Sequence, residues 1–376
     1  MTPFNKPYLT GKETHYIYEA VNSGKISGNG MFTQRCQNYF EEKYGFEKCL
    51  LTTSCTDALE MSAILCDIKP GDEVIIPSYT FVSTALAFVR QGAKIVFADS
   101  RKDNPNIDEN KIEALITSKT KAIVPVHYAG VACEMDKIME LAEKYKLFVV
   151  EDAAQAIDSF YTGKDGVRKS LGSIGHFGCF SFHETKNIQC GEGGMLAIND
   201  NRFLKRSEII WEKGTNRAEF FRGEVDKYGW VDTGSSFLPS EVTAAFLYAQ
   251  VENIEKIQRK RKAIWEKYYE LLSPISNSKF RLPEIPVFAT NNAHMFYLIF
   301  SSIDERSKAI EKLKSKNISS VFHYLSLHSS PYYIEKHDGR NLQEADKFTK
   351  CLLRLPLFFE LPEKVQEELF QTLKSI

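Results

Sequence analysis

The chain has 376 residues, 43% of them hydrophobic and 26% charged, with a formal net charge of -1. That length suits a large domain plus a smaller one better than a single core, and the near-zero charge offers no electrostatic footprint for nucleic acid or an anionic membrane surface. The start, Met1-Thr2-Pro3-Phe4-Asn5-Lys6, lacks a basic segment followed by an apolar run, and no window reaches bilayer-spanning length, so a soluble, cytoplasmic protein is expected.

Short apolar runs predict strands at Cys49-Leu50-Leu51, Val74-Ile75-Ile76, Lys94-Ile95-Val96-Phe97, Ala122-Ile123-Val124-Pro125-Val126, Leu147-Phe148-Val149-Val150, Cys179-Phe180-Ser181-Phe182 and Met195-Leu196-Ala197-Ile198. They are apolar at consecutive positions and rich in β-branched or aromatic side chains, as strands covered on both faces are. Amphipathic stretches such as Met135-Asp136-Lys137-Ile138-Met139-Glu140-Leu141-Ala142 separate them. The alternation predicts an α/β fold whose large domain holds a seven-stranded, mostly parallel sheet flanked by helices. A long helical pattern, one helix or a pair, opens near Pro239-Ser240-Glu241 and closes at Pro274. It is expected to join a large domain, 1–250, to a smaller C-terminal α/β domain, 251–376. Eight cysteines are scattered without Cys-x-x-Cys spacing, against a zinc site or a disulfide scaffold, and no metal is expected.

Charge meets these strands at two places. Glu151-Asp152-Ala153-Ala154-Gln155 follows one buried run, and His183-Glu184-Thr185-Lys186-Asn187 follows the next, ahead of Gly191-Glu192-Gly193-Gly194. Open α/β sheets place ligands at the carboxyl ends of strands, and a charge there faces a desolvation cost unless something meets it. Pyridoxal phosphate answers both needs, since it forms an imine with a lysine and its ring nitrogen works best protonated against a carboxylate. Taken singly, Asp152 also reads as a cap on a helix beginning at Ala153, and Lys186 as one exposed lysine among many. The pair on consecutive buried strands, with the glycine-rich turn after it, favours chemistry. Thr52-Thr53-Ser54-Cys55-Thr56 reads as a helix N-terminus able to bind phosphate, or as ordinary capping. Phe81, in Pro77-Ser78-Tyr79-Thr80-Phe81, offers a ring to stack on a cofactor, or a core aromatic.

Together, Ser54-Cys55-Thr56, Pro77-Ser78-Tyr79-Thr80-Phe81, Glu151-Asp152-Ala153-Ala154-Gln155 and Ser181-Phe182-His183-Glu184-Thr185-Lys186-Asn187 resemble the DegT/StrS-type sugar aminotransferases, which share the fold of the aspartate aminotransferase superfamily. The resemblance runs from Ser27-Gly28-Asn29-Gly30 to Leu355-Pro356-Leu357-Phe358. It implies that Lys186 holds pyridoxal phosphate, Asp152 pairs with the ring nitrogen, Gln155 contacts the phenolic oxygen and Phe81 stacks on the ring. Ser54, Cys55, Thr56 and Ser181 would hold the phosphate. His294, His323 and His328 resemble the family's segment near the sugar nucleotide. The family also implies a homodimer whose neighbouring subunit reaches the phosphate. Where many members have Gly-Tyr-Asn, this chain reads Gly234-Ser235-Ser236-Phe237, which leaves the shorter Ser236 for that contact. The substrates implied are L-glutamate and a dTDP-linked keto-sugar aminated at carbon 4. An aminotransferase of another nucleotide keto-sugar, giving a 4-amino gluco or a 3-amino product, and a non-catalytic binding or regulatory protein are the alternatives. A sugar dehydratase is disfavoured, because related dehydratases replace the lysine with histidine.

Overall fold

The computed structural model describes residues 1–276 and 279–376. The seven apolar runs form one sheet of β1 (Lys48–Thr52), β2 (Glu73–Pro77), β3 (Lys94–Ala98), β4 (Thr120–Ile123), β5 (Phe148–Asp152), β6 (Phe177–Ser181) and β7 (Gly194–Ile198). Their order across the sheet is β1-β7-β6-β5-β4-β2-β3. Parallel pairs link β3 to β2, β2 to β4, β4 to β5 and β5 to β6, while β7 runs antiparallel to both β6 and β1. The reversal follows from the connection between β6 and β7, which carries Lys186 and the glycine-rich turn and has no crossover helix.

Alternate residues serve opposite faces, as the pleat requires. Ile75, Ile123, Val149, Phe180 and Met195 enter one core cluster, and Val74, Ile76, Ala122, Val150, Cys179 and Leu196 enter the other. The run at Ala122 stops being a strand after Ile123, short of the expected Val126. Pro125 has no N–H to donate to the ladder, although Val124 still bonds the Ile75 carbonyl and Val126 still bridges to Asp152.

Around the sheet lie α1 (Glu13–Asn22), α2 (Met31–Tyr44), α3 (Cys55–Leu65), α4 (Val82–Arg90) and α5 (Met135–Tyr145). The pattern from Pro239 resolves into two helices, α6 (Glu241–Val251) and α7 (Ile254–Leu272), broken at Glu252-Asn253. Pro239 lies outside the helix, and Ser240 is the cap, its Oγ accepting from the Thr243 N–H. The break marks a change of packing partner. α6 packs on α1 and α2, where the Glu241 carboxylate accepts from the backbone N–H groups of Gly30, Phe32 and Thr33. α7 turns Ile264, Trp265, Tyr268 and Leu272 into a separate core with a second sheet, β8 (Phe280–Arg281), β9 (Phe296–Phe300) and β10 (Leu352–Leu355). Phe296 sits 5.2 Å from the rings of both Trp265 and Tyr268.

The first residues tie these parts together. Thr2 bridges to Ile318, the Asn5 amide donates to the Glu184 carbonyl, and Tyr8 stacks on Phe359 at 3.8 Å. Among the described residues, no helix is long and apolar enough to cross a membrane.

Candidate active site

Strand register gathers the chemistry at one edge of the large sheet. Asp152 ends β5, Ser181 ends β6, and Gly194 opens β7 between Thr52 of β1 and Ser181. A cavity of about 670 Å3 opens there, lined by Ser54, Cys55, Thr56, Phe81, Asp152, Gln155, Ser181, Lys186, His294 and His323. Ten of the twelve residues singled out in the sequence thus meet in one place. His328 and Ser236 do not.

The Asp152 carboxylate is 5% exposed and caps no helix. Its Oδ2 accepts from the Thr84 hydroxyl at 2.7 Å and its Oδ1 from the Ala154 N–H at 3.1 Å. Burial pushes its pKa up, and those two donors together with the nearby Lys186 and His127 charges pull against that rise. Thr84 stands in the first turn of α4, so the helix that follows β2 clamps the end of β5. Glu151, fully buried, accepts from His127 Nε2 and from the N–H groups of Gly172, Ile174 and Gly175, which fixes β5 from its other side.

Lys186 faces the same cavity from the loop after β6. Burial holds its ammonium below the ordinary lysine range, Arg354 acts in the same direction, and Cys55 and Asp152 oppose. The sign is clear: the free, nucleophilic amine gains population as pH rises through a pKa lower than that of a solvated lysine. Cofactor uptake by the apoprotein is therefore expected to reach half its maximal rate below the ordinary lysine range, measured by the growth of cofactor absorbance against pH. A midpoint at the ordinary value would show that the amine is not desolvated.

Ser54 is the N-cap of α3, its Oγ accepting from the Asp57 N–H at 3.1 Å. The N–H groups of Cys55 and Thr56 come first in the helix and have no intrahelical acceptor, so the N-terminus presents donors and a positive dipole end to the cavity. A Cβ on Gly194 would stand 2.3 Å from the Ser54 carbonyl carbon and 2.4 Å from the Cys55 nitrogen. Only glycine lets β7 approach the helix so closely. Burial pushes the Cys55 thiol well above its ordinary range, so it lines the cup as a neutral group and not as a nucleophile.

Gln155 accepts from the Ala129 N–H at 2.6 Å through Oε1 and points Nε2 toward the Tyr324 hydroxyl at 3.2 Å. Phe81 is 55% exposed at the cavity edge, unlike a core aromatic. His294 bonds Asn187 at 2.9 Å, and His323 lies 3.3 Å from the Tyr128 hydroxyl. Burial and the surrounding cations hold both imidazoles well below the ordinary histidine range, hence neutral.

His328 is placed away from the cavity, which corrects the expectation that it belongs with the other two. Its Nδ1 is 2.7 Å from the Ser78 hydroxyl, and its Nε2 faces Asp346. It fastens the segment before β10 to the end of β2. Ser236 is exposed and bridges to Glu212, outside its own chain's cavity. Among the lining residues that the sequence reading did not single out are Thr84, Tyr324 and Arg354. Arg354 carried a legible signal, a charge embedded in the apolar run Leu352-Leu353-Arg354-Leu355.

Known proteins resemble the chain over nearly its whole length. The model of the DegT/DnrJ/EryC1/StrS aminotransferase family matches residues 7–374. The chain is 30% identical over 386 aligned residues to the spore coat polysaccharide biosynthesis protein SpsC of Bacillus subtilis (strain 168), spanning 100% of this chain and 96% of SpsC. It is similar in structure to Spr1654 of Streptococcus pneumoniae, described as a candidate sugar aminotransferase and solved in its PMP-form, with a TM-score of 0.90 and 25% identity over 100% of this chain and 98% of that one. DesV of S. venezuelae, solved with a ketimine intermediate, gives a TM-score of 0.89 and 26% identity over 100% and 98%.

Proposed function

The chain belongs to the DegT/DnrJ/EryC1/StrS aminotransferase family, and from that membership we propose that it moves an amino group from L-glutamate to carbon 4 of dTDP-4-keto-6-deoxyglucose. The products are dTDP-4-amino-4,6-dideoxygalactose and 2-oxoglutarate. One observation carries the amino transfer: Lys186 and the buried Asp152 face one cavity at the free N-terminus of α3. The choice of sugar is supported by Val126-His127-Tyr128-Ala129-Gly130, His183-Glu184-Thr185-Lys186-Asn187 and Lys213-Gly214-Thr215-Asn216-Arg217. These resemble the corresponding stretches of the transaminase that makes this amino sugar for enterobacterial common antigen. The likeness to SpsC, named for polysaccharide biosynthesis, points the same way.

The residues fit pyridoxal phosphate, the cofactor of this enzyme class. A buried carboxylate whose hydrogen bonds, among the described residues, come from a hydroxyl and an amide is suited to a cationic ring nitrogen, and the α3 N-terminus beside Gly194 to a phosphate. When bound, the cofactor supplies a carbonyl for amine exchange and a ring that withdraws electrons from the substrate carbon. Asp152, oriented by Thr84 and Ala154, would hold the proton at the ring nitrogen. The Cys55 and Thr56 N–H groups and the Ser54 and Ser181 hydroxyls would bind the phosphate. Phe81 would cover the ring and exclude water, and Gln155 Nε2 would donate to the phenolic oxygen. Lys186 Nζ would act twice: it would anchor the cofactor, and when free it would take the proton from the donor's α-carbon and later deliver one to the sugar carbon.

Exposed Phe221, Tyr228 and Trp230, 69%, 53% and 85% exposed, precede Ser236 on the surface. They support a homodimer in which Ser236 reaches the partner's phosphate; sedimentation at the mass of a single chain by the active enzyme would refute it.

The sugar assignment is tested by incubating the holoenzyme with glutamate and dTDP-4-keto-6-deoxyglucose and reading the product by NMR. An axial amine on carbon 4 is expected. An equatorial one, or nitrogen on carbon 3, would replace the named product, and a holoenzyme inert toward every keto-sugar and amino acid would favour a binding role.

A further inference from the structure

His294 stands just before β9, is 4% exposed and lines the lysine cavity. A neutral imidazole has one donor and one acceptor nitrogen, and its partners decide which is which. A chain of buried groups decides it here. The Asn292 backbone carbonyl can only accept, and the amide nitrogens of Asn187 and Gln258 both donate to it, at 2.8 and 3.3 Å. The Gln258 nitrogen also donates to the Asp158 carboxylate at 3.3 Å, so its oxygen turns to Asn187 and accepts at 2.8 Å. Both hydrogens of the Asn187 amide are then used, and its Oδ1 is what remains for His294 Nδ1, 2.9 Å away. That oxygen needs a donor, so Nδ1 carries the proton. Nε2 is left with a bare lone pair, and among the described residues nothing hydrogen-bonds to it. His323 is the contrast: its Nδ1 meets the Tyr128 hydroxyl at 3.3 Å, a group able to give or to take, which fixes no proton.

A buried acceptor without a partner calls for a donor. Two features point to Lys186. Asn187, which locks the ring, follows Lys186 directly in the chain, so the imidazole and the lysine loop are held as one unit. Of the charges acting on His294, that of Lys186 is the largest, ahead of Arg354, Arg261 and His323. Arg261 is already taken up by the Ala293 and His294 carbonyls. An amine that has picked up a proton in this cavity is a buried cation, and it needs an acceptor to be tolerated there.

We propose that His294 is a positioning residue for Lys186: its Nε2 lone pair accepts a hydrogen bond from Nζ when the amine is free of cofactor, and holds the ammonium once a proton has been taken. The imidazole itself gains no proton. This role rests on the aminotransferase reading of Lys186.

Two substitutions separate the edges of the ring. His294→Asn keeps a donor for Asn187 and loses the acceptor toward the cavity, while His294→Gln places an amide oxygen where Nε2 stands. The first measurement is cofactor uptake by the apoprotein against pH. An acceptor favours the ammonium, so its loss lowers the lysine pKa and the uptake midpoint falls. His294→Asn is expected to move the midpoint down by about one to two pH units, the effect of one hydrogen bond to a charged group, with His294→Gln near the parent. Water admitted by the smaller side chain would move it upward, so the sign separates this role from packing. An unchanged or raised midpoint in His294→Asn, or equal shifts in both variants, would overturn the proposal. The second measurement needs no substitution at His294. Histidine side-chain nitrogen NMR of the apoprotein should show His294 protonated at Nδ1 alone, and Lys186→Ala should shift its Nε2 resonance while Nδ1 stays. A proton on Nε2, or an Nε2 signal indifferent to Lys186, would refute the contact. An apoprotein that takes up no cofactor at any pH would sink the aminotransferase reading and leave the nitrogen spectra to decide this one.

Discussion

Lys186→Ala is expected to lower turnover by more than about 10,000-fold. A positioned general base alone contributes roughly 100- to 10,000-fold, and Lys186 has the further task of exchanging the cofactor between protein and substrate. The alanine removes both functions from a position that no neighbouring amine can fill, because Arg354, the other cation of the cavity wall, does not deprotonate at working pH. The measurement is product formed from glutamate and keto-sugar, alongside the absorbance of purified protein. The band of the lysine-bound cofactor should vanish. Activity retained above about one per cent of the parent's would be incompatible with the role of a base and anchor.

Asp152→Asn separates charge from shape. The amide occupies the same volume, and its one oxygen can keep the Ala154 N–H while its NH2 group faces the Thr84 hydroxyl, which can turn to accept, so the fold and the cofactor are expected to stay. What is lost is the negative charge that keeps a ring nitrogen protonated. Breaking a buried ion pair costs roughly 3–5 kcal/mol, which corresponds to about 100- to 10,000-fold in rate if it is realised in the transition state. Rapid mixing of the loaded variant with glutamate should show this loss at proton removal from the α-carbon. A variant that turned over normally would show that Asp152 does not face the ring nitrogen.

Much of this was legible in the residues, for reasons that can be named. A strand covered on both faces has no choice but to be apolar throughout, so β2, β6 and β7 announce themselves. A charge at the end of such a run stands out, as Asp152 and Lys186 do. Thr84 did not, because nothing distinguishes its hydroxyl from those of Thr80 and Ser83 until α4 is laid across the end of β5. The histidines were alike in sequence, and tertiary placement separated them: His294 and His323 reach the cavity, while His328 is taken up by Ser78. The break at Glu252-Asn253 was equally hidden, since apolar periodicity continues through it while the surface it packs against changes. Arg354 was overlooked although its apolar neighbours marked it, because an arginine in a strand is unusual only once the strand is known to be buried.

The N-terminal segment has a consequence for how large substrates enter. Phe4 and Asn5 back the cavity wall formed by His294, Arg354 and Thr185, and the same short stretch grips the Glu184 carbonyl in the lysine loop and Ile318 beside the second sheet. It acts as a tether, and that flank cannot part without pulling on the loop that carries Lys186. Phe81, Phe322 and Leu325 also line the cavity, with apolar side chains 55%, 50% and 65% exposed, and a route between them would leave the tether in place. A bulky sugar nucleotide would be threaded past these greasy lips with its reacting carbon leading, and its nucleotide would remain at the doorway.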